Sequence, residues 1–379
     1  MIDTIVLLLS QDEFKINKII ASKTNKKLGI IWKQNPTKKD LKRGDYKPRL
    51  TLASRISWHN KNKRETTLKI ELSLPKLLFG NNFEELQYKD RFAVIEKLVA
   101  ALKEMGVTTT QNAIANASVA AIHYSKNIPL IDGATPYHFI NKIRNANIPL
   151  SLDVNQTDYR NHGHCYKWHC NSYEVVFYDK IKDLEKARIS GKRALERDNE
   201  IQIDLFRRAE NGRKKFEVLR MEVRLNKRQK IKQLFKKLNI KADLVFKKLF
   251  KPAISKKVLL HYLDKLESRW PTLIDYKTHN DKALLAELIF ANPTLGPKKI
   301  LQMYGLKRAI DAIPIGEMRA MFSKYSARSW YRLIADANSI QLPKVDRPLA
   351  VVRSSLTKLK PLKFKKSKSN KSKLHTIET

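Results

Sequence analysis

The hydrophobic positions of this chain follow two periods, and the change between them divides it. In the first 226 residues, short apolar or alternating runs recur. Residues 2–9 (IDTIVLLL), 117–124 (ASVAAIHY) and 173–178 (YEVVFY) are rich in apolar and β-branched side chains and predict buried strands. Residues 29–33, 49–56 and 150–154 predict shorter ones. Over 67–74, Leu68, Ile70 and Leu72 alternate with Lys69, Glu71 and Ser73, the pattern of a half-buried strand. Over 216–225, Phe216, Val218, Met221, Val223 and Leu225 stand against Glu217, Arg220, Glu222 and Arg224. The alternation slips between Leu219 and Met221, where a bulge is expected.

Helical spacing separates these strands. Phe92, Val94, Ile95, Leu98, Val99 and Leu102 recur at three and four residues, and Gly106 is the natural stop. Residues 136–146 predict a second helix and 181 to about 211 a long charged one, while 155–172 read as a polar connection. Beyond 227 the helical period takes over, through Ile231, Leu234, Phe235 and Leu238, then Val258, Leu259, Leu263 and Leu266. Pro252, Pro271, Pro293, Pro297 and Pro314 punctuate it into short helices. The expected class is therefore α+β. Residues 1–226 form a largely antiparallel sheet with helices on one side, with a hint of an internal pseudo-repeat. Residues 227–343 form an all-helical domain, and 344–379 a Lys-rich disordered tail.

Charge changes the picture more than composition does. The 379 residues carry a net charge of +39. From Arg353 onward there are nine Lys and Arg and one acid, or +8, so 39 − 8 leaves +31 on the part expected to fold. Such an excess points to a polyanionic partner, nucleic acid before an anionic membrane surface. No apolar run approaches the length of a membrane span. The opening MIDTIVLLLSQDEF lacks a basic leader and reads as the first strand rather than a secretory signal. Two cysteines, Cys165 and Cys170, do not make a disulfide framework and suit a reducing cytoplasm.

Four features can carry chemistry. Tyr178 ends an apolar strand and is followed at once by Asp179 and Lys180. A phenol placed there either closes a strand or attacks a phosphodiester; for the second it needs a nearby cation, metal or base, and Lys180 is the first candidate. Glu71, His123 and Glu222 are isolated ionisable residues on central strands. Each has an ordinary explanation, an outward-facing carboxylate or a satisfied core histidine; together they would suit Mg2+ or Mn2+ acting on a phosphate. His162, His164, Cys165, His169 and Cys170 are dense in donors, but their spacing matches no structural zinc module. A short hairpin would instead pair 164–170 with 172–178 and bring His164 beside the tyrosine strand. Finally, in 327–338 (ARSWYRLIADAN) Trp330, Leu333 and Ile334 make an apolar face with Arg328 and Arg332 pointing away. With 316–325 before it, this has helix-turn-helix spacing, or is simply a helix packed in a bundle.

Several of these segments, in this order, resemble one family. MIDTIVLLL, LKIELSLPKLLFGNNFEEL (68–86), ASVAAIHYSKNI (117–128), SYEVVFYDKIKDLEKA (172–187) and VLRMEVRLNK (218–227) look like the replication-initiation proteins of the gene II/X type of filamentous phages and related plasmids. The likeness spans about residues 1–230. It implies a rolling-circle initiator, a site-specific single-strand DNA endonuclease in the host cytoplasm. Such an enzyme nicks one strand of a supercoiled origin, holds the 5′ end on a tyrosine, leaves a 3′-OH primer and later rejoins the displaced strand. It implies a divalent metal, and host helicase and polymerase as partners. The family's nicking tyrosine falls on Tyr178, its strand aspartate on His123 and its strand glutamate on Glu222. His123 departs from the expected aspartate, and Ala121 stands where the family has arginine. Expected DNA contacts are Arg188, Lys192, Arg193, Arg208, Arg213, Lys214, Arg328 and Arg332. The competing expectation is a non-enzymatic DNA-binding protein of the repressor or partition type.

Overall fold

A computed structural model describes residues 1–17, 29–37, 40, 46–56, 64–130, 134–146, 157–160, 163–183, 217–268, 270, 273, 276, 280–313, 315–343, 349–366 and 375–378. Strands β1 (Ile2–Ser10), β2 (Phe14–Ile16), β3 (Ile30–Gln34), β4 (Arg49–Ile56) and β5 (Arg64–Ser73) precede the short helix α1 (Leu74–Phe79). Helix α2 (Arg91–Glu104), β6 (Val107–Thr109) and α3 (Gln111–Asn116) lead to the long strand β7 (Ser118–Leu130). Then come α4 (Pro136–Ala146), β8 (Thr157–Arg160), β9 (Cys165–His169), β10 (Tyr173–Asp179) and β11 (Glu217–Leu225).

Nine of these strands form one sheet in the order β3-β4-β5-β1-β7-β11-β10-β9-β8, with every neighbouring pair antiparallel. It consists of two meanders, β3-β4-β5 and β8-β9-β10, joined through the adjacent strands β1, β7 and β11. Alternation decides its faces. Ile5, Leu7 and Leu9, Leu68, Ile70 and Leu72, Ile122 and Tyr124, Val175 and Phe177, and Met221, Val223 and Leu225 all point into one core. Helix α2 covers that face with Val94, Ile95, Leu98 and Leu102, and α4 with Phe139, Ile140 and Ile143. Gly106, at φ 80°, ends α2 in a conformation that favours glycine. Phe92, expected on the buried side of α2, is 68% exposed instead, with the Arg91 guanidinium stacked on its ring.

Two domain boundaries differ from expectation. Helices α5 (Arg228–Lys237), α6 (Phe246–Leu249) and α7 (Pro252–Glu267) do not begin a separate helical domain. Their apolar faces (Ile231, Leu234, Phe246, Val258, Leu263) join the sheet's own core. A second core begins only near Leu273 and is built by α8 (Asp281–Ala291), α9 (Pro297–Ala312), α10 (Ile315–Met321) and α11 (Ala327–Ser339). The chain then returns. Helix α12 (Ala350–Lys358) buries Leu349, Val352 and Leu356 in the first core, so the expected disordered tail is folded over much of its first half. Arg353 pairs with Glu267 and Asp264 of α7.

Other local expectations separate cleanly. The polar connection 155–172 contains β8 and β9. The bulge expected near Leu219–Met221 is absent, since β11 runs in unbroken register against both β10 and β7. The slip arose from Val218, which is buried on the opposite face from Leu219 and Met221 and belongs to neither simple phase. The strand expected at 150–154 lies outside the described residues, as does the 181–211 helix beyond its first turn at 180–183. Among the described residues, no helix is long and apolar enough to cross a membrane.

Candidate active site

The face of the sheet turned away from the helices gathers charge at its centre. Strand β11 sends Arg220, Glu222 and Arg224 to that side, because Leu219, Met221, Val223 and Leu225 are committed to the core. Strand β10 is in register with it, Tyr178 opposite Arg220 and Val176 opposite Glu222. On the other flank, β7 places Asn127 opposite Arg220, Ser125 opposite Glu222 and His123 opposite Arg224. Strand β1 adds Asp3 through a bulge: it uses three residues from Ile2 to Ile5 where β7 uses two from Tyr124 to Ile122. Ile2 and Ile5 therefore both stay in the core while Asp3 turns to the opposite face.

Arg220 is the hub. It is 1% exposed, and its Nη2 lies 2.7 Å from Asp3 Oδ1. It donates to Ser125 Oγ at 2.9 Å, to Asn127 Oδ1 at 3.2 Å and to the Asn82 carbonyl at 2.8 Å. Its Nε makes no hydrogen bond and lies 4.0 Å from Glu222 Oε2, so the guanidinium is fixed through its two Nη groups and leaves one buried donor unmatched. The loop that supplies Asn82 is itself held: Glu85 accepts from Lys126 Nζ at 2.5 Å, from the Asn127 N–H at 2.6 Å and from the Leu362 N–H at 2.9 Å. Thus the segment that follows α12 helps hold the wall of the site.

Tyr178 donates its hydroxyl to Glu222 Oε2 at 3.3 Å. Burial pushes the phenol well above its ordinary value; nearby Arg220 pulls it down and Glu222 pushes it further up. At neutral pH it is a phenol with a carboxylate waiting on its proton. Burial also opposes ionisation of Glu222, but Arg224 and Arg220 outweigh it and hold the carboxylate below its usual range. Arg224 grips Glu222 at both oxygens, Nε to Oε1 at 3.1 Å and Nη2 to Oε2 at 3.2 Å, and reaches Glu174 at 3.1 Å. His123 Nδ1 is 3.6 Å from Glu222 Oε1, and its Nε2 is 3.2 Å from Asn226 Oδ1. Burial holds this imidazole below its ordinary value despite the pull of Glu222, which keeps it neutral at neutral pH.

The residues after Tyr178 have a local reason. Asp179 turns away from the site and accepts from the N–H groups of Ile181 and Lys182, both at 2.9 Å, capping the helical turn 180–183. It also meets His164 Nδ1 at 3.2 Å. That cap sets Lys180, 1% exposed, with its ammonium 5.7 Å from the centre of the Tyr178 ring and 5.6 Å from that of Phe83. Lys180 Nζ lies 3.9 Å from Asp183.

Of the expected metal donors, His123 and Glu222 come together and Glu71 does not. Glu71 sits two strands from His123 and pairs with Lys69 at 3.1 Å, both side chains well exposed. Asp3 is the acid that takes the third place. The oxygens of Glu222 and Asp3 that face the site, however, are engaged by Arg224 and Arg220. Among the described residues no group of three His, Cys, Asp or Glu converges as metal ligands. As arranged, these donors do not fit a resident divalent ion, because two guanidinium cations already hold their carboxylates.

The remaining candidates fall into place or outside view. Cys165–His169 pairs with β10 as the hairpin reading anticipated, Cys165 opposite Tyr178. Cys165 and Cys170 are not joined in a disulfide, His164 is held by Asp179, and His162 lies outside the described residues. Arg188, Lys192, Arg193, Arg208, Arg213 and Lys214 also lie outside them. Arg328 and Arg332 are exposed on α11, whose Trp330, Ile334 and Ala337 face the second core. Asp3, Arg220 and Arg224 are the residues that sequence reasoning did not single out. Their one available signal was charge inside otherwise apolar or alternating strands. Compared with known proteins, the chain matches no family model, no curated protein and no solved structure.

Proposed function

We propose that this protein nicks and rejoins one strand of DNA through a phosphotyrosine link at Tyr178, as a rolling-circle replication initiator does. The observation that carries the proposal is the contact of the Tyr178 hydroxyl with a buried carboxylate, Glu222, amid Arg220, Arg224 and Lys180, in a chain of net charge +39. The three cations offset the acids they pair with, Asp3, Glu174, Glu222 and Asp183, and the net charge of +39 supplies the attraction for a phosphodiester.

The step balances as a transesterification. The Tyr178 oxygen attacks phosphorus, its proton passes to Glu222, and the bond from phosphorus to the 3′-oxygen breaks. The 3′-oxygen takes a proton from water and leaves as a hydroxyl. The 5′ phosphate stays on the tyrosine, and attack by a 3′-hydroxyl reverses the sequence and reseals the strand. Arg224, partly exposed, meets the charge that grows on the non-bridging oxygens, Lys180 adds positive charge from its buried place 5.7 Å from the Tyr178 ring centre, and Arg220 fixes the strand that carries Glu222. His123 orients that carboxylate from its other side. No metal enters this scheme.

The test is covalent capture. A single-stranded oligonucleotide library labelled at the 3′ end is incubated with the protein, with and without Mg2+, and denatured. A label that stays with the wild-type chain and is lost in Tyr178→Phe supports the proposal. DNA bound before denaturation but never linked would instead favour a non-enzymatic binder.

A further inference from the structure

The second core leaves one side of its surface in a state that folding alone does not explain. Helices α10 and α11 bury Ile315, Met318, Trp330 and Ile334, as amphipathic packing requires. Yet the turn between them and the outer side of α11 expose three rings. Phe322 is 43% exposed, Tyr325 57% and Tyr331 39%. The Phe322 and Tyr325 rings lie 5.7 Å apart at a 47° tilt, and Phe322 also meets the buried Trp330 ring at 6.1 Å, which leaves its outer face and the Tyr325 ring open.

Cations interleave with these rings. Lys324 Nζ is 5.6 Å from the centre of the Tyr325 ring, and the Arg319 guanidinium is 5.8 Å from that of Tyr331. Arg328 and Arg332 are both exposed and lie one turn apart on α11, on either side of Tyr331 in sequence. Over residues 315–332 there are four Lys or Arg and one acid, Glu317. An apolar partner would leave those cations without counter-charges. An anionic surface would leave the rings without anything to cover them. A duplex presents phosphates but hides the faces of its bases. A single strand offers both, phosphates for the cations and unpaired bases for the rings.

We infer that Phe322, Tyr325 and Tyr331, with Lys324, Arg328 and Arg332, form a platform that holds single-stranded DNA by stacking and charge, preferring it to duplex. That the strand is DNA rather than RNA rests on the nicking proposal; the stacking surface itself does not. The platform would hold the displaced strand while Tyr178 holds its end.

The test uses the full chain carrying Tyr178→Phe, so that binding is read without chemistry. Fluorescence anisotropy measures affinity for labelled oligo(dT), oligo(rU) and a hairpin duplex. Tyr325→Ala and Phe322→Ala should each weaken oligo(dT) binding about tenfold and leave hairpin binding within about twofold. Tyr325→Trp should restore binding, which a merely folding-related loss would not show. Arg328→Gln and Arg332→Gln should each lower the slope of log affinity against log salt by about 0.7. Equal losses for strand and hairpin, or no loss with either ring removed, would overturn the platform. So would a wild-type dimer that Tyr325→Ala converts to monomer, since the rings would then cover each other. Oligo(rU) bound more tightly than oligo(dT), with the same ring dependence, would keep the stacking surface but overturn DNA as its ligand. Failure of covalent capture at Tyr178 would leave all of these binding outcomes readable.

Discussion

Strands β5 and β11 turn the same kind of side chain to the same face of the sheet. On β5, Lys69 and Glu71 form an exposed pair, 45% and 38% accessible. On β11, Arg220 and Glu222 are 2% and 3% accessible and gather Asp3, His123 and Tyr178 around them. The alternation in sequence is alike; the neighbours are not. Strand β11 lies between β7 and β10, both of which bring polar residues to the same level, and the Asn82–Glu85 loop closes over Arg220. Strand β5 lies between β4 and β1, which bring Arg49 and Val6 to the level of Glu71, and there the Lys69–Glu71 pair stays open to solvent. A charge on a strand becomes chemistry where several strands deliver partners to one level and something shields them from water.

The sharpest test of that contrast is a pair of carboxamides. Glu222→Gln removes the acceptor for the Tyr178 proton and should slow formation of the tyrosine–DNA adduct by about 100- to 10,000-fold, while Glu71→Gln should leave that rate essentially unchanged. Adduct formation timed on denaturing gels distinguishes them, and equal losses would erase the distinction between the two strands. Asp3→Ala comes next. It strips the buried Arg220 of its nearest acid and should destabilise the fold by about 3 kcal/mol or more, read by chemical denaturation. The same pair has a pH signature. Burial raises the Asp3 carboxyl, but Arg220 outweighs it and holds the group far below the ordinary carboxylate range. Its contribution is therefore complete above about pH 4 and is lost as the pH falls further. The Asp3→Ala chain should lack that part of the acid-side loss.

A smaller effect concerns the cations. With Arg224 gripping Glu222, the wild-type chain should show no thermal stabilisation by Mn2+ alone. Arg224→Ala, which frees Glu222 Oε1 beside His123 while Tyr178 still donates to Oε2, should gain a shift of a few degrees at millimolar Mn2+. Stabilisation of the wild type by the same Mn2+ would show that the guanidinium yields its place to a metal. Smallest of all, Glu71→Gln should change stability by no more than about 0.5 kcal/mol, because an exposed pair contributes little.

Much of the centre was legible before the structure. The apolar runs and alternations named β1, β5, β7, β10 and β11, and Tyr178, His123 and Glu222 stood out as polar residues in apolar surroundings. What was not legible is non-local. Asp3 sits in a run that reads as an ordinary first strand, and only a bulge against β7 turns it toward Arg220. Arg220 and Arg224 had the spacing of outward, solvated positions, and no local pattern says that β11 will be central. Glu71 looked as suitable as Glu222 for the same reason. In the C-terminal stretch, Leu349, Val352 and Leu356 keep helical spacing, but the Lys-rich run after them masked a helix that belongs to the first core.

The point of DNA attachment decides whether Tyr178 is the nucleophile. Peptide mapping of the denatured protein–oligonucleotide adduct by mass spectrometry reads this directly. A nucleotide-bearing peptide containing Tyr178 is expected, and none in the Tyr178→Phe chain. An adduct on Tyr124, Tyr166, Tyr173 or Tyr262, or strand nicking that survives Tyr178→Phe, would contradict the assignment of Tyr178.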